Sequence, residues 1–190
     1  MFRGLILMGA LLIMAASFIG CDSSMEGYRV FTFNEVAHFS FEYPAHYKIT
    51  SAHGTVEDRT IYIGLRDKIL PEGRTNGFIY LYVEGAGDTY RDAGAALENE
   101  IWQFVRAGHL IEHSAITVDK MPAELLVYSR EPDLIPEAPA SSLEVMKVTR
   151  SVYFDYDGFI WNLVIESDED RVEEAEADFE HLLETFQILD

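Results

Sequence analysis

Residues 145–190 constrain this chain more than any other stretch. They read as a strand, a tight turn, a second strand and a closing helix. The turn is Asp157-Gly158, a pair that tolerates the positive φ angles of a two-residue hairpin turn. Such a turn leaves one register: Tyr156 opposite Phe159, Phe154 opposite Trp161, Val152 opposite Leu163, and Arg150 opposite Ile165. Val152, Phe154, Tyr156, Phe159, Trp161, Leu163 and Ile165 then share one face, and a slip of one residue would turn the whole set to the other side. Ser167 is placed to cap the following helix, with Asp170 three residues on as its capping-box partner. Val172, Ala175, Phe179, Leu182, Leu183 and Phe186 recur at helical spacing and make one apolar stripe. Trp161 and Phe179, each in the middle of its own face, are expected to meet. A sheet with one face to bury and a helix with one stripe to bury pack on each other.

Upstream, Phe39, Phe41 and Tyr43 alternate on one face of a strand that stops at Pro44. Tyr47-Lys48-Ile49-Thr50 resumes as a strand that His53-Gly54 ends, and residues 60–65 make a third. Residues 66–77 hold Pro71, Gly73 and Asn76-Gly77 and read as a loop. Residues 78–84 are almost continuously apolar or aromatic, which predicts a central strand buried on both faces. Gly85-Ala86-Gly87-Asp88-Thr89 then caps a helix with Tyr90, Ala93, Leu97, Ile101, Phe104 and Val105 inside and Gly108 at its end. Residues 110–118 and 123–128 read as two strands joined through Asp119-Lys120-Met121-Pro122. Residues 131–142 carry Pro132, Pro136 and Pro139 without any apolar period and read as an exposed loop. The order predicts the α+β class, a central antiparallel sheet packed by helices.

The N-terminus sets the address. Arg3 precedes two apolar runs, Leu5-Ile6-Leu7-Met8 and Leu11-Leu12-Ile13-Met14, and the small residues Ala15-Ala16-Ser17 follow. That is the layout of a secretory signal. Phe18-Ile19-Gly20-Cys21 resembles the bacterial lipobox, in which the cysteine becomes the lipidated first residue of the mature chain; Phe18 stands where Leu is usual. Cys21 is the lone cysteine, so no internal disulfide is available, and lipidation explains its position. An uncleaved anchor helix is the alternative, and either reading exports the domain and ties it to a membrane. The expected division is a signal peptide over 1–20, the lipidated Cys21 and a tether over 21–34, and one domain over 35–190. Residues 1–20 hold Arg3 as their only charge, so the net charge of −19 becomes −20 without them. Such a domain repels nucleic acid and anionic headgroups, so the lipid has to hold it at the membrane. Glu169, Glu173, Glu174, Glu176, Glu180 and Glu184 place much of this charge on the outer face of the last helix.

The motif Phe39-Ser40-Phe41-Glu42-Tyr43-Pro44 with Tyr47 close behind resembles the opening of a PsbP-like domain. The ending is similar too: a strand, Asp157-Gly158, Trp161 on the next strand, an acidic helix, then Thr185-Phe186-Gln187-Ile188. Many members have Trp where Tyr47 stands. The resemblance covers residues 35–189 and implies an α-β-α sandwich of the PsbP/Mog1-like kind, in a bacterial lipoprotein of the DcrB-like type. Its motifs are packing motifs, which speak to fold and hardly to activity.

Candidate sites are few. His109 and His113 lie four apart in a strand with Glu112 between them, so both rings are expected on one face, ~13 Å apart at the usual rise and too far to share an ion. His38, His46 and His53 are scattered near the first strands. Asp155 with Asp157, and Asp168-Glu169-Asp170, are accounted for by turn and helix-start chemistry, although hard cations also take such oxygens. PsbP-like proteins imply calcium and manganese handling, for which no motif stands here. There is no G-x-S-x-G, and Gly85-Ala86-Gly87 lacks the third Gly and the Lys of a phosphate loop. No catalytic residue, metal ligand or cofactor is expected. The expected function is that of a non-enzymatic, lipid-anchored extracytoplasmic accessory protein that binds a protein partner through Glu131, Asp133 and Glu137 of the proline-rich loop. The alternative is a small-ligand or calcium-type metal-ion binding lipoprotein of the envelope.

The address has a direct check. Mass spectrometry of the protein from its native membrane is expected to find the mature N-terminus at Cys21, carrying lipid. Cys21→Ser is expected to leave the precursor uncut and membrane-bound. A different N-terminus, or an unmodified Cys21, would refute the lipobox reading.

Overall fold

The computed structural model describes residues 27–55, 59–67, 77–105, 109–130 and 146–189. Among them are β1 (Tyr28–Phe33), β2 (Phe39–Pro44), β3 (Lys48–Thr55), β4 (Thr60–Arg66), β5 (Gly77–Gly85), α1 (Ala93–Glu100), β6 (His109–Val118), β7 (Met121–Arg130), β8 (Lys147–Tyr156), β9 (Phe159–Asp168), α2 (Val172–Thr185) and β10 (Gln187–Ile188). A seven-stranded sheet runs in the order β3-β4-β5-β9-β8-β7-β6, and a small sheet in the order β1-β2-β10. Every strand pair is antiparallel. Among the described residues the fold is of the α+β class, with sheet dominant and helices few.

The β8–β9 hairpin has the register its turn demands, from Tyr156 opposite Phe159 to Arg150 opposite Ile165. Asp157 and Gly158 take φ of 49° and 74°, the left-handed values of that turn. A second hairpin of the same kind joins β6 to β7. Asp119 and Lys120 carry φ of 44° and 68°, while Met121 and Pro122 already pair with Val118 and Thr117. Pro122 is tolerated because pairing of β7 with β8 begins only at Glu124.

Strand alternation divides the large sheet into two unlike faces. On one, Ile63, Leu81, Leu163, Trp161, Val152 and Phe154 form a buried layer. The small sheet covers it with Phe39 and Phe41, and α2 with Ala175, Phe179 and Leu182. On the other face, α1 buries Ala93, Ala96 and Leu97 against Leu126, Tyr153 and Ile160 in a smaller cluster. Polar pairs fix α2 in place. Arg150 Nη2 meets Glu176 at 3.0 Å, His181 Nε2 meets Glu42 Oε2 at 2.8 Å, and the Glu42 N–H donates to Thr185 Oγ1 at 3.0 Å. Tyr28 stacks on the His181 ring at 3.7 Å.

Several expectations are revised. Residues 28–33, expected to lie in a tether, form a strand: they pair with β2 along their whole length, and the Phe31 ring lies tilted on Phe41 at 5.2 Å. Ser167 caps nothing: β9 runs through it, paired with Gly77 on one side and Val148 on the other, and these ladders hold it extended. A short turn, Glu169–Arg171, precedes α2, whose start has no side-chain cap. The first helix starts later than expected. Asp92 is its cap, accepting from the Ala95 N–H at 2.9 Å, while the Ala93 N–H donates to Asp155 Oδ1 at 2.9 Å. Strand β5 is fully buried on one face; on the other Phe78 and Tyr80 are half-buried, Tyr82 is 37% exposed and Glu84 is buried. The ring that α2 sends to Trp161 is Phe186, at its C-terminal end, 5.8 Å away; Phe179 lies in the same core.

His109 and His113 do not share a face. A bulge between Leu110 and Glu112 shifts the alternation, so His109 stands opposite Ser129 and His113 opposite Leu126, neighbours of opposite orientation on β7. His113 instead meets Glu124 at 3.2 Å. Asp155 is engaged by α1, and Asp168 pairs with Lys147. Among the described residues no group of three or more His, Cys, Asp or Glu side chains is placed to hold a metal ion. Cys21 and the loop with Glu131, Asp133 and Glu137 lie outside the described residues, as does Gly108.

Two expectations test this packing. Phe186 is 1% exposed and touches Phe39, Phe154 and Trp161, so Phe186→Ala is expected to cost ~3–5 kcal/mol in chemical denaturation. A loss below ~1 kcal/mol would contradict the junction. Asp178, buried on α2, has its carboxyl pushed up from 3.8 to about 6 by burial first. Glu174 and Asp67 push the same way, while His46, at 3.7 Å, and Arg171 oppose them. A raised carboxyl pKa contributes stability that is full below the unfolded value near 4 and lost as pH rises through about 6. Asp178→Asn removes that loss, so its melting temperature is expected to gain on wild type between pH 4 and pH 7. A difference that stays constant across this range would contradict the assignment.

Candidate ligand-binding cavity

Helix α1 has eight residues and so spans about 12 Å, whereas seven strands spread over about 29 Å. It cannot cover its face of the sheet. Beside it lies a half-open cavity of about 350 Å³. Alternation on the central strands supplies the floor: Tyr80, Tyr82 and Glu84 from β5, Asn162 and Glu166 from β9, Ser151 and Tyr153 from β8, and Tyr128 from β7. The helix and the wider turn that continues it, Ile101–Val105, bring Asn99, Glu100 and Gln103. Tyr90, just ahead of the helix, closes one side.

Glu100 is the centre of this arrangement. It is 7% exposed, the last residue of α1, and it faces the sheet. Ser151 Oγ donates to its Oε1 at 2.7 Å, Tyr153 donates to its Oε2, and the Tyr128 hydroxyl also hydrogen-bonds to it. Asn162 Nδ2 in turn donates to the Tyr153 hydroxyl at 2.9 Å. A buried carboxyl without such donors would be costly; with three hydroxyls it is held in one position. Burial, then the adjacent Glu100, push the Tyr128 and Tyr153 hydroxyls well above the ordinary phenol value. Both therefore keep their protons at neutral pH and remain donors. Tyr82 is raised for the same reasons, with Glu84 at 3.3 Å as the second cause. On the helix side, Asn99 Nδ2 donates to the Tyr90 hydroxyl at 2.7 Å.

One buried acceptor, Asn162 Oδ1, has no hydrogen-bond partner among the described residues. Among the described residues no Lys, Arg or His lines the cavity. The described residues set an acidic centre and neutral tyrosine rings around the cavity. The expected site residues, Cys21, Glu131, Asp133 and Glu137, lie outside the described residues. The cavity's signal in the sequence was faint: Glu100 stands three residues after Leu97 on the inner side of α1, and Ser151 and Tyr153 occupy the alternate positions to Val152 and Phe154.

No family model matches the chain, and no curated protein matches it by sequence. Solved structures do match in fold. The cyanobacterial PsbP (CyanoP) of Synechocystis aligns over 88% of this chain and 96% of its own, with a TM-score of 0.57 at 13% identity. LpqN of Mycobacterium tuberculosis, described as involved in cell envelope biogenesis, aligns over 86% and 92% with a TM-score of 0.57 at 12% identity. A protein of Bacteroides thetaiotaomicron aligns over 87% of this chain at 9% identity and a TM-score of 0.51, and the chain spans 50% of it. At these identities the likeness shows the fold alone, a PsbP-like architecture, and carries no site residue across.

Proposed function

We propose that this protein is an accessory component of the cell envelope that works by binding and not by turnover, and that it takes a small molecule into the Glu100 cavity. The observation that carries the ligand reading is Glu100 itself, a buried acid held by three hydroxyl donors in the wall of an open cavity. Volumes of roughly 300–1,000 Å³ with a few placed polar groups are typical of small-molecule sites. The envelope reading rests on the signal-like N-terminus with Cys21 as the lipid-bearing residue. It is supported by likeness in fold to LpqN, which is described as acting in envelope biogenesis.

A second reading, contact with a protein partner, is favoured by a different observation. Trp102, Leu110 and Ile111 are 65%, 51% and 59% exposed, and the latter two lie on edge strand β6. Exposed apolar groups on a strand that, among the described residues, stands at the sheet edge suit protein contact. In this reading Glu131, Asp133 and Glu137 add an acidic flank that pairs with Lys or Arg of the partner.

A thermal-shift screen of the full chain in detergent decides between them. Small polar metabolites of cationic, neutral and anionic classes are tested against wild type and Tyr153→Phe. At least one class is expected to raise the melting temperature of wild type by several degrees and to have a smaller effect on the variant. A screen in which no class acts would refute the ligand reading and leave the contact reading.

A further inference from the structure

Two features of the sheet meet at the cavity. The first is its mouth. Tyr80 and Tyr90 are half-buried and Tyr82 is 37% exposed, with the half-buried amide of Asn99 and the exposed amide of Gln103 beside them. The second is a row of rings leading out of it. Register sets Tyr82 opposite Tyr62 of β4, and Tyr62 opposite His53 of β3, so the three side chains share the face that α1 leaves uncovered. Tyr62 is 38% exposed, His53 is exposed, and their rings lie 5.6 Å apart. Inward, Tyr82 stands opposite Asn162 of β9, which lines the cavity. With strands ~4.8 Å apart, the row runs ~14 Å over the three steps from β9 to β3.

We infer that the ligand is a neutral oligosaccharide, with one sugar ring held in the cavity and the next rings laid along Tyr82, Tyr62 and His53. This rests on the cavity being a ligand site. A sugar ring has two kinds of surface: C–H groups that form an apolar face, and hydroxyls that both donate and accept. Tyrosine meets the first with a large, rigid apolar ring and the second with its hydroxyl. Side-chain amides carry donors and an acceptor, and carboxylates accept. The groups at the mouth are already oriented. Gln103 Nε2 donates to Asn99 Oδ1 at 3.1 Å, Asn99 Nδ2 donates to the Tyr90 hydroxyl at 2.7 Å, and the Tyr82 hydroxyl donates to Glu84 Oε2 at 3.3 Å. A carboxylate accepts from a sugar hydroxyl whether or not a cation also holds it.

Rival ligands fit less well. Single-stranded nucleic acid stacks its bases on aromatic rows, but its phosphates are repelled by a chain of net charge −19. The same repulsion acts on acidic glycans. Proline-rich peptides dock in aromatic grooves. Proline brings no N–H, however, so it meets the amide and carboxylate oxygens of the lining without a donor. A single small ring fills the cavity but leaves Tyr62 and His53 untouched.

The test is calorimetric titration of the full chain in a polyoxyethylene detergent, which carries no sugar. The probes are cellotetraose, maltotetraose and N-acetylchitotetraose, each beside its monomer, and a decaproline peptide. At least one tetrasaccharide is expected to bind, and at least tenfold more tightly than its monomer. Tyr62 lies outside the cavity lining and at the surface, so Tyr62→Ala is expected to keep the melting temperature while the tetramer's affinity falls toward the monomer's. Tyr82→Ala is expected to weaken tetramer and monomer alike, severalfold. Equal affinity of tetramer and monomer, or undiminished tetramer binding by Tyr62→Ala, overturns the oligosaccharide inference and leaves the cavity as a ligand site. Decaproline binding without any sugar binding overturns it in favour of a peptide. Silence from every sugar overturns it as well, and the metabolite screen then separates the two readings: a hit there keeps the cavity as a ligand site, and no hit removes both.

Discussion

Trp161 is the point on which the fold closes. Its indole lies flat on Phe154, 5.7 Å away at 8°, which locks it to its hairpin partner strand. Phe39 of the small sheet meets it edge-on at 5.2 Å and 87°, and Phe186 from the end of α2 meets it at 5.8 Å and 78°. Edge and stacked contacts of this kind each add roughly 0.5–1.5 kcal/mol beyond the area they bury. More important is their connectivity. One side chain joins the large sheet, the small sheet and the last helix, so the pieces cannot shift independently. Phe39 also contacts Phe33 of β1 at 5.5 Å, which ties the first strand into the same group.

The hairpin that places Trp161 also shapes the opposite side. With a period of two, each residue turned to the core leaves its neighbour on the far face. On β9, Trp161, Leu163 and Ile165 alternate with Asn162, Val164 and Glu166; on β8, Val152 and Phe154 alternate with Ser151 and Tyr153. The rigid, fully packed face therefore presents the cavity residues from a fixed backbone. A binding site built on central strands is held more firmly than one on loops. The short α1 completes it, anchored by Asp92 at its cap and by Asp155 of β8, which together set where Glu100 falls.

The legible parts of the sequence are those with local repeats. The β8–β9 register follows from a two-residue turn and alternating apolar residues, and the α2 stripe and the Phe39, Phe41, Tyr43 face follow from period alone. Failures occurred where long-range pairing overruled a local signal. Ser167 looks like a cap, but ladders with Gly77 and Val148 hold it in a strand. Residues 28–33 look like tether until β2 offers them an edge. His109 and His113 look like a shared face until one bulged residue reverses the alternation.

By itself the sequence determined the α+β class, the pairing of the closing hairpin, the buried stripe of α2 and the acidic balance of the chain, since each is written in spacings of a few residues. The tertiary structure alone decided the cavity. Glu100 meets Ser151 across 51 residues and Tyr153 across 53, and Tyr80 and Asn162 reach the same space from strands far apart in the chain. No local period marks such a meeting. An acid on a helix and tyrosines on strands are ordinary surface residues until the sheet order β5-β9-β8-β7 sets them side by side and a helix too short for its face leaves them open.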